Sequence, residues 1–215
     1  MRRLLLAVLL TLLPGCSAGT ASTASAGAPS ASRALAPAPA EGLRVQRIPN
    51  FAGEFRLQGM YRFGRPELGV GFRYSDGQPV RLDVYVYPAP GEVLEADDPL
   101  AAAADVGRTE LRAGLEEEVR KGNLQSFELR SDSVIAISLP QGELTGTYVS
   151  LRFTVDGAAH DSHQHHFMVG DQLVKVRTSY PAGAIEMGTV DAFLRDFLDR
   201  LTSPAPPARS TAPVG

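Results

Sequence analysis

Hydrophobic and polar residues alternate along two neighbouring stretches of the chain. Leu68, Val70, Phe72 and Tyr74 are separated by Gly69, Gly71 and Arg73. Val80, Leu82, Val84 and Val86 alternate with Arg81, Asp83, Tyr85 and Tyr87. A period of two is that of a strand with one buried face. Ser75-Asp76-Gly77-Gln78-Pro79 between the runs is a turn cluster, so the two form a hairpin. With Tyr74 opposite Val80, Gly69 falls opposite Tyr85, and a Tyr ring can lie across the bare glycine. An earlier strand is predicted over 55–63, and Pro88 and Pro90 end the second hairpin strand.

The period then changes. Asp97-Asp98-Pro99 supplies an acidic cap followed by proline at the first helical position. Leu100, Ala104, Gly107, Leu111, Leu115 and Val119 recur at helical spacing up to the stop at Gly122-Asn123. Gly107 and Gly114 lie on or beside that stripe and can let the helix approach a sheet closely. Glu116–Arg120 and Glu117–Lys121 are favourable pairs four apart. Strand-like pieces follow at 124–130, 134–139, 148–155, 163–169 and 173–179. Asp156-Gly157 and Gly170-Asp171 join the last three as short turns, which makes them antiparallel. After a loop over 181–188, Thr189 caps a second helix with the stripe Val190, Phe193, Leu194, Phe197, Leu198 and Leu201. Its opposite face carries Arg195–Asp199 and Asp196–Arg200. Strands, helix, strands, helix describe an α+β domain: a single antiparallel sheet with two main helices.

The ends of the chain do not fit that domain. Arg2 and Arg3 precede the apolar run 4–13 (LLLAVLLTLL), which as a helix would span about 15 Å, half a bilayer's hydrocarbon. That is the length of a secretory signal. Leu13-Pro14-Gly15-Cys16 follows and resembles the lipobox of bacterial lipoproteins, with a large apolar residue three before the cysteine and a small one just before it. The resemblance implies diacylglyceryl transfer to the Cys16 thiol, cleavage after Gly15 and acylation of the new amino terminus. Two or three acyl chains anchor a protein stably, whereas one is marginal. Ser17, which is not Asp, goes with outer-membrane sorting in such lipoproteins. From Ser17 to Ala40 every residue except Arg33 and Leu35 is Ala, Ser, Thr, Gly or Pro. Such a stretch cannot bury enough surface to offset its ordering entropy, and it reads as a tether with a reach of about 25–30 Å. The organisation expected is a signal peptide at 1–15, lipidated Cys16 and a tether to 41, one domain over 42–202, and a Pro-rich tail at 203–215.

Charge and cysteine narrow the chemistry. The chain of 215 residues has 21 Lys and Arg against 24 Asp and Glu, a formal charge of −3. Removing Arg2 and Arg3 with the signal leaves 21 − 2 = 19 against 24, or −5. An acidic chain argues against nucleic acid as a partner, which would want a basic stripe. The single cysteine, Cys16, leaves no internal disulfide and no multi-cysteine zinc site.

All four histidines fall together, at His160, His163, His165 and His166. On a strand His163 and His165 share a face and His166 takes the other. Two imidazoles two apart can share Zn or Cu, with His160 or Asp161, expected in the preceding turn, completing the site. A closed zinc site needs four ligands, so the binding expected is weak. Phe167 and Val169 continue the face of His163 and His165, so a core role fits those residues equally. Tyr85 and Tyr87 share a strand face with Arg81 and Asp83, which makes either an amphipathic binding surface or rings packed under a helix or over Gly69. There is no Gly-x-Ser-x-Gly, phosphate-cradling glycine loop, His-Glu-x-x-His or dinucleotide fingerprint.

The order of elements over 53–202 is similar to that of the PsbP/Mog1/DcrB-like α/β/α sandwich, and the resemblance implies a sandwich-like layering. Leu68-Gly69-Val70-Gly71-Phe72-Arg73-Tyr74, Asp83-Val84-Tyr85-Val86-Tyr87 and Lys175-Val176-Arg177-Thr178 also resemble segments of uncharacterised bacterial envelope proteins. Members of that fold are mostly binding or assembly modules, and fold alone does not fix function. The leading expectation is a lipid-anchored, periplasm-facing envelope module that binds or scaffolds a protein partner without catalysis. A periplasmic transition-metal-binding protein using the histidines is the alternative, and a hydrolase of unrecognised type is the third.

Overall fold

The computed structural model describes residues 47–184 and 187–203. The signal segment, Cys16, the tether and the tail beyond Ser203 lie outside the described residues. Eight strands form one antiparallel sheet. They are β1 (Phe51–Ala52), β2 (Phe55–Arg62), β3 (Val70–Ser75), β4 (Arg81–Pro88), β5 (Ser126–Leu139), β6 (Gly142–Val155), β7 (Ala158–Val169) and β8 (Gln172–Pro181). The spatial order is β1-β2-β3-β4-β8-β7-β6-β5. Short α1 (Gly91–Leu94) and long α2 (Pro99–Arg120) connect β4 to β5, and α3 (Met187–Thr202) closes the chain. The fold is the expected α+β sheet with two main helices, and no helix among the described residues is long and apolar enough to cross a membrane.

The two helices take opposite faces. On one, α3 buries Val190, Phe193, Leu194, Phe197, Leu198 and Leu201 against Phe55, Phe72, Tyr74, Leu82, Val84, Phe167, Val174 and Val176. On the other, Leu111 and Leu115 of α2 pack on Val149, Leu151 and Phe153. Further along the same face, Ala103 joins Val93 and Leu173. Helix α2 begins as its sequence dictates, with the Asp98 carboxylate accepting from Ala101 N at 3.0 Å and Pro99 at the first turn. Gly107 lets it approach the sheet: a Cβ there would stand 3.2 Å from the His166 ring.

Three local expectations are corrected. The hairpin register is shifted by two, with Tyr74 opposite Leu82 and Gly71 opposite Tyr85. An even shift keeps every side chain on its expected face. The ring lying over Gly71 is that of Tyr61, while Gly69 adopts φ +66° and faces the Val86 carbonyl and Tyr87 Cα. The segments 124–130 and 134–139 belong to one strand, because Ser131-Asp132-Ser133 stays paired with Ser150, Val149 and Tyr148 instead of turning, and the only irregularity is a bulge at Arg130, where pairing slips between Leu129/Leu151 and Ser131/Ser150. The slip inverts the parity of the strand. Phe127 and Leu129 therefore join the α2 cluster, while Ile135 and Leu139, at odd positions too, pack on the α3 cluster. Helix α3 starts at Met187, two residues ahead of its expected cap.

The sheet curls around α3, which touches both β1 and β5 near its two edges. Gly53 N donates to Asp196 of α3 at 3.0 Å, and Gln141, in the β5–β6 turn, donates to Thr202.

Candidate functional site

Strand β7 begins at Ala158, five residues before the expected start, so His160 belongs to the strand and not to a turn. Strict alternation then separates the imidazoles. His163 and His165 face the α3 side, whereas His160 and His166 face the α2 side. His160 stacks on Phe153 with ring centroids 5.3 Å apart. The three candidate ligands His160, His163 and His165 therefore do not converge, and among the described residues no group of three His, Cys, Asp or Glu is arranged to hold a metal.

His163 has other partners. Its Nδ1 lies 2.6 Å from the Tyr148 hydroxyl and its Nε2 2.7 Å from the Tyr180 hydroxyl. Tyr148 and Tyr180 come from the diagonal positions on β6 and β8, so the three rings run nearly parallel. A neutral imidazole donates to one phenol and accepts from the other, which uses both of the nitrogens a metal would need. Burial holds the His163 pKa below that of a free imidazole, with Asp161 opposing weakly. Asp161 is itself committed: Arg152 Nε and Nη2 donate to its two oxygens at 2.7 and 2.8 Å. That bidentate bond is the main reason its carboxyl titrates below the usual range. Deeper on the same strand, burial pushes His165 down to about 4, and its Nδ1 has no hydrogen-bond partner among the described residues.

The α2-side face is different in kind. Strand register sets Arg73, Asp83, Arg177 and Gln164 side by side across β3, β4, β8 and β7. The next row is Gly71, Tyr85, Lys175 and His166. Asp83 is 2% exposed, and its two oxygens accept from Arg73 Nε at 3.0 Å and Arg81 Nε at 2.5 Å. Tyr85 is buried, with Phe63 stacked on it at 6.3 Å, Tyr61 edge-on at 6.3 Å, and the Lys175 ammonium 4.9 Å from its ring centroid. Tyr87 packs beside Ala89, Val93, Ala103 and Leu173 beneath α1 and α2. Of the two tyrosines singled out from sequence, Tyr85 is thus central to a mixed aromatic and charged cluster, and Tyr87 is packing.

Sequence reasoning missed Lys175 and Arg177. In Leu173-Val174-Lys175-Val176-Arg177 the cations alternate with buried valines, the pattern of a strand with one wet face. The covering by α2, whose Glu110 acts on Lys175, is tertiary and leaves no local mark. Desolvation, reinforced by Arg177, pulls the Lys175 pKa down to about 8, while Glu110 of α2 opposes the fall. Burial raises Glu110 in turn. Arg177 is 7% exposed, and its Nε and Nη2 find no hydrogen-bond partner among the described residues. What this cluster can do chemically is bind: it offers fixed positive charge, a guanidinium edge and aromatic faces.

No protein-family model and no curated protein matches the chain. Among solved structures it is similar to the cyanobacterial PsbP protein of Synechocystis sp. PCC 6803, at 15% identity over 60% of this chain and 76% of that one, with a TM-score of 0.41. A Bacteroides thetaiotaomicron protein matches at 11% identity and a TM-score of 0.38; the alignment covers 66% of this chain but only 43% of the Bacteroides chain. A protein of unknown function from Pseudomonas aeruginosa matches at 11% identity over 70% of this chain and 97% of its own, with a TM-score of 0.30. These neighbours are PsbP-like or uncharacterised bacterial proteins, and at such scores they say nothing of a site.

Proposed function

We propose that this chain is a lipid-anchored module of the bacterial cell envelope, held at the outer membrane and facing the periplasm. It binds a ligand or protein partner through the α2-side face around Tyr85. The observation that carries the binding face is Arg177, a buried guanidinium whose Nε and Nη2 have no hydrogen-bond partner among the described residues, while Asp83, opposite it on β4, is already engaged by two other arginines. Charge buried at that expense is expected where a ligand repays it. The anchor is supported by the apolar run that ends at Leu13-Pro14-Gly15-Cys16 and by the tether behind it.

Two measurements test the reading. Label from a palmitate analogue should enter the wild-type chain and be lost in Cys16→Ala, which should leave the membrane fraction; equal retention of an unlabelled variant overturns the anchor. A photo-crosslinking residue at half-buried Phe63 should give a discrete adduct in the native envelope. The same residue at Val134, 71% exposed on edge strand β5, should give none. Indistinguishable adducts at both positions overturn the binding face.

A further inference from the structure

We propose that Arg177 holds the phosphate group of a small phosphate ester, donating from Nε and Nη2 to two of its oxygens, with Lys175 and Arg81 completing the charge. This rests on the reading of the α2-side face as the binding surface and names its ligand class.

The first support is which atoms lack partners. Nε–H and the adjacent Nη2–H form the parallel edge by which arginine binds planar or tetrahedral oxyanions in bidentate fashion. Elsewhere in this fold the same edge is filled: Arg152 gives Nε and Nη2 to the oxygens of Asp161 at 2.7 and 2.8 Å. Arg177 presents that edge, buried, to no acceptor among the described residues. Asp83 stands directly opposite on β4, yet both of its oxygens are turned to Arg73 and Arg81.

The second support is charge. Among the described residues, Arg73, Arg81, Lys175 and Arg177 are gathered here against two carboxylates, Asp83 and Glu110. Two positive charges are left over. A carboxylate ligand would neutralise one of them, and a phosphate monoester, close to a dianion at neutral pH, would neutralise both. Arg73 and Arg81, both bonded to Asp83 opposite Arg177, have side chains 46% and 27% exposed. The Tyr85 ring beside Lys175 offers an apolar surface to the rest of the ester.

The third support is that packing does not account for Arg177. An unpaired buried guanidinium is costlier than an apolar side chain of similar length. A structural arginine should therefore stabilise the fold, and a binding one should burden it until ligand arrives.

That contrast supplies the experiment, made on the full-length chain in detergent with inorganic phosphate as probe and sodium chloride matching ionic strength. At roughly ten times its dissociation constant, phosphate should raise the melting temperature of the wild type by about 3–5 °C. Acetate should do so far less. Arg177→Met should melt above the wild type without phosphate and show no response to it. Arg177→Lys keeps the charge but loses the edge, and should weaken binding at least tenfold by 31P line broadening.

No phosphate response in the wild type, an undiminished response in Arg177→Lys, or an acetate response equal to that of phosphate overturns the proposal. So does an Arg177→Met variant that melts below the wild type, for the arginine would then be structural. Binding to phosphatidate vesicles without any response to free phosphate moves the oxyanion to a lipid headgroup and overturns the small ester. Survival of the Phe63 crosslink alongside a failed phosphate response overturns the ligand class alone and leaves the binding face standing.

Discussion

The two faces of the sheet are built on opposite terms. Under α3 the central positions are Phe72, Tyr74, Leu82, Val84, Val174 and Val176, all 2% exposed or less, and the one phenol among them, Tyr74, donates to the Pro49 carbonyl at 2.7 Å. One residue along each of the same strands, the other face places Arg73, Asp83, Lys175 and Arg177 at equally central positions, with Arg81 at the start of β4. The same backbone therefore carries a hydrophobic core on one side and a charged, aromatic cluster on the other. Apolar burial is the dominant favourable term in folding, so the α3 side holds most of the stability. The α2 side recovers some at its ends, through Leu111 and Leu115 in one cluster and Ala103 with Val93 in another. Between those ends α2 closes over polar groups, and there stability has been given up. A face that departs from the pattern of its own fold in this way is where a binding function is expected.

The comparison is broken most directly through α3. Phe193 is fully buried and meets Phe55, Tyr74 and Phe197 with ring centroids 5.5, 5.1 and 5.5 Å away. Phe193→Ala should cost about 3–5 kcal/mol. Denaturant melts of the chain measure it, and a loss under about 1 kcal/mol would show that the core does not lie where these rings meet.

Acid should act on both faces through neighbouring imidazoles. His165 on the α3 side and His166 on the α2 side are held at about 4 and about 3, chiefly by burial. Both values lie below that of a free imidazole. The unfolded chain therefore takes up the proton first as pH falls, and stability, complete above about pH 6.5, is lost as pH drops toward 4. Each buried imidazole contributes a slope of at most about 1.4 kcal/mol per pH unit, and His165 alone removes about 3 kcal/mol over the window. His165→Leu and His166→Leu should each flatten the melts measured between pH 7 and 4. A variant with the wild-type slope would show that its imidazole is not buried neutral.

Asp83 tests the cost of the charged cluster itself. Asp83→Asn removes the carboxylate charge and one of the two oxygens that accept from Arg73 and Arg81, and leaves Arg177 facing still more uncompensated charge. Because Arg73 is 46% exposed and can turn to water, the loss should be about 1.5 kcal/mol, and Arg177→Met in the same chain should restore part of it. Additive effects of the two substitutions in urea melts would show that Asp83 and Arg177 do not share one electrostatic site.

The α3 side was legible in the sequence because its stripe and its strands keep strict periods: Val190 to Leu201 and Val80 to Val86 each name their buried face unaided. The hairpin register was less so, since Tyr74 opposite Val80 and Tyr74 opposite Leu82 satisfy the same alternation. The continuity of β5 past its bulge at Arg130 was hidden for a related reason. Ser131-Asp132-Ser133 has the composition of a turn, yet Ser131 and Ser150 hydroxyls lie 2.6 Å apart and Asp132 binds Arg108 of α2, so the polar triplet is held within the sheet. The histidine cluster stood out, but its faces depended on where β7 begins. The charged cluster did not stand out at all, because half-buried Lys175 and buried Arg177 carry the signature of solvent exposure and are covered only by elements distant in sequence.

The smallest expected effect concerns charge on the α3 side, where it is peripheral. Arg200 donates from Nε to Asp196 Oδ1 at 2.9 Å, one turn apart on α3, with side chains 52% and 35% exposed. An exposed pair of this spacing stabilises by about 0.3–0.5 kcal/mol, so Arg200→Ala should cost no more than that and less still at high salt. Asp196 has a second task. Its Oδ2 accepts from Gly53 N at 3.0 Å and ties the turn between β1 and β2 to the helix. Gly53 adopts φ +52°, and a Cβ there would stand 3.2 Å from Phe193 N, so turn and helix backbone are already close. Asp196→Ala should therefore cost more than Arg200→Ala, by roughly the 0.5–1.5 kcal/mol of one further hydrogen bond. The double variant should cost about as much as Asp196→Ala alone, because among the described residues the hydrogen bonds of Arg200 both go to that carboxylate. Urea melts of the three variants at low and high salt separate these terms. Equal losses for the two single variants would mean that Asp196 serves only its ion pair, and that the β1 edge is held to α3 by apolar contact alone.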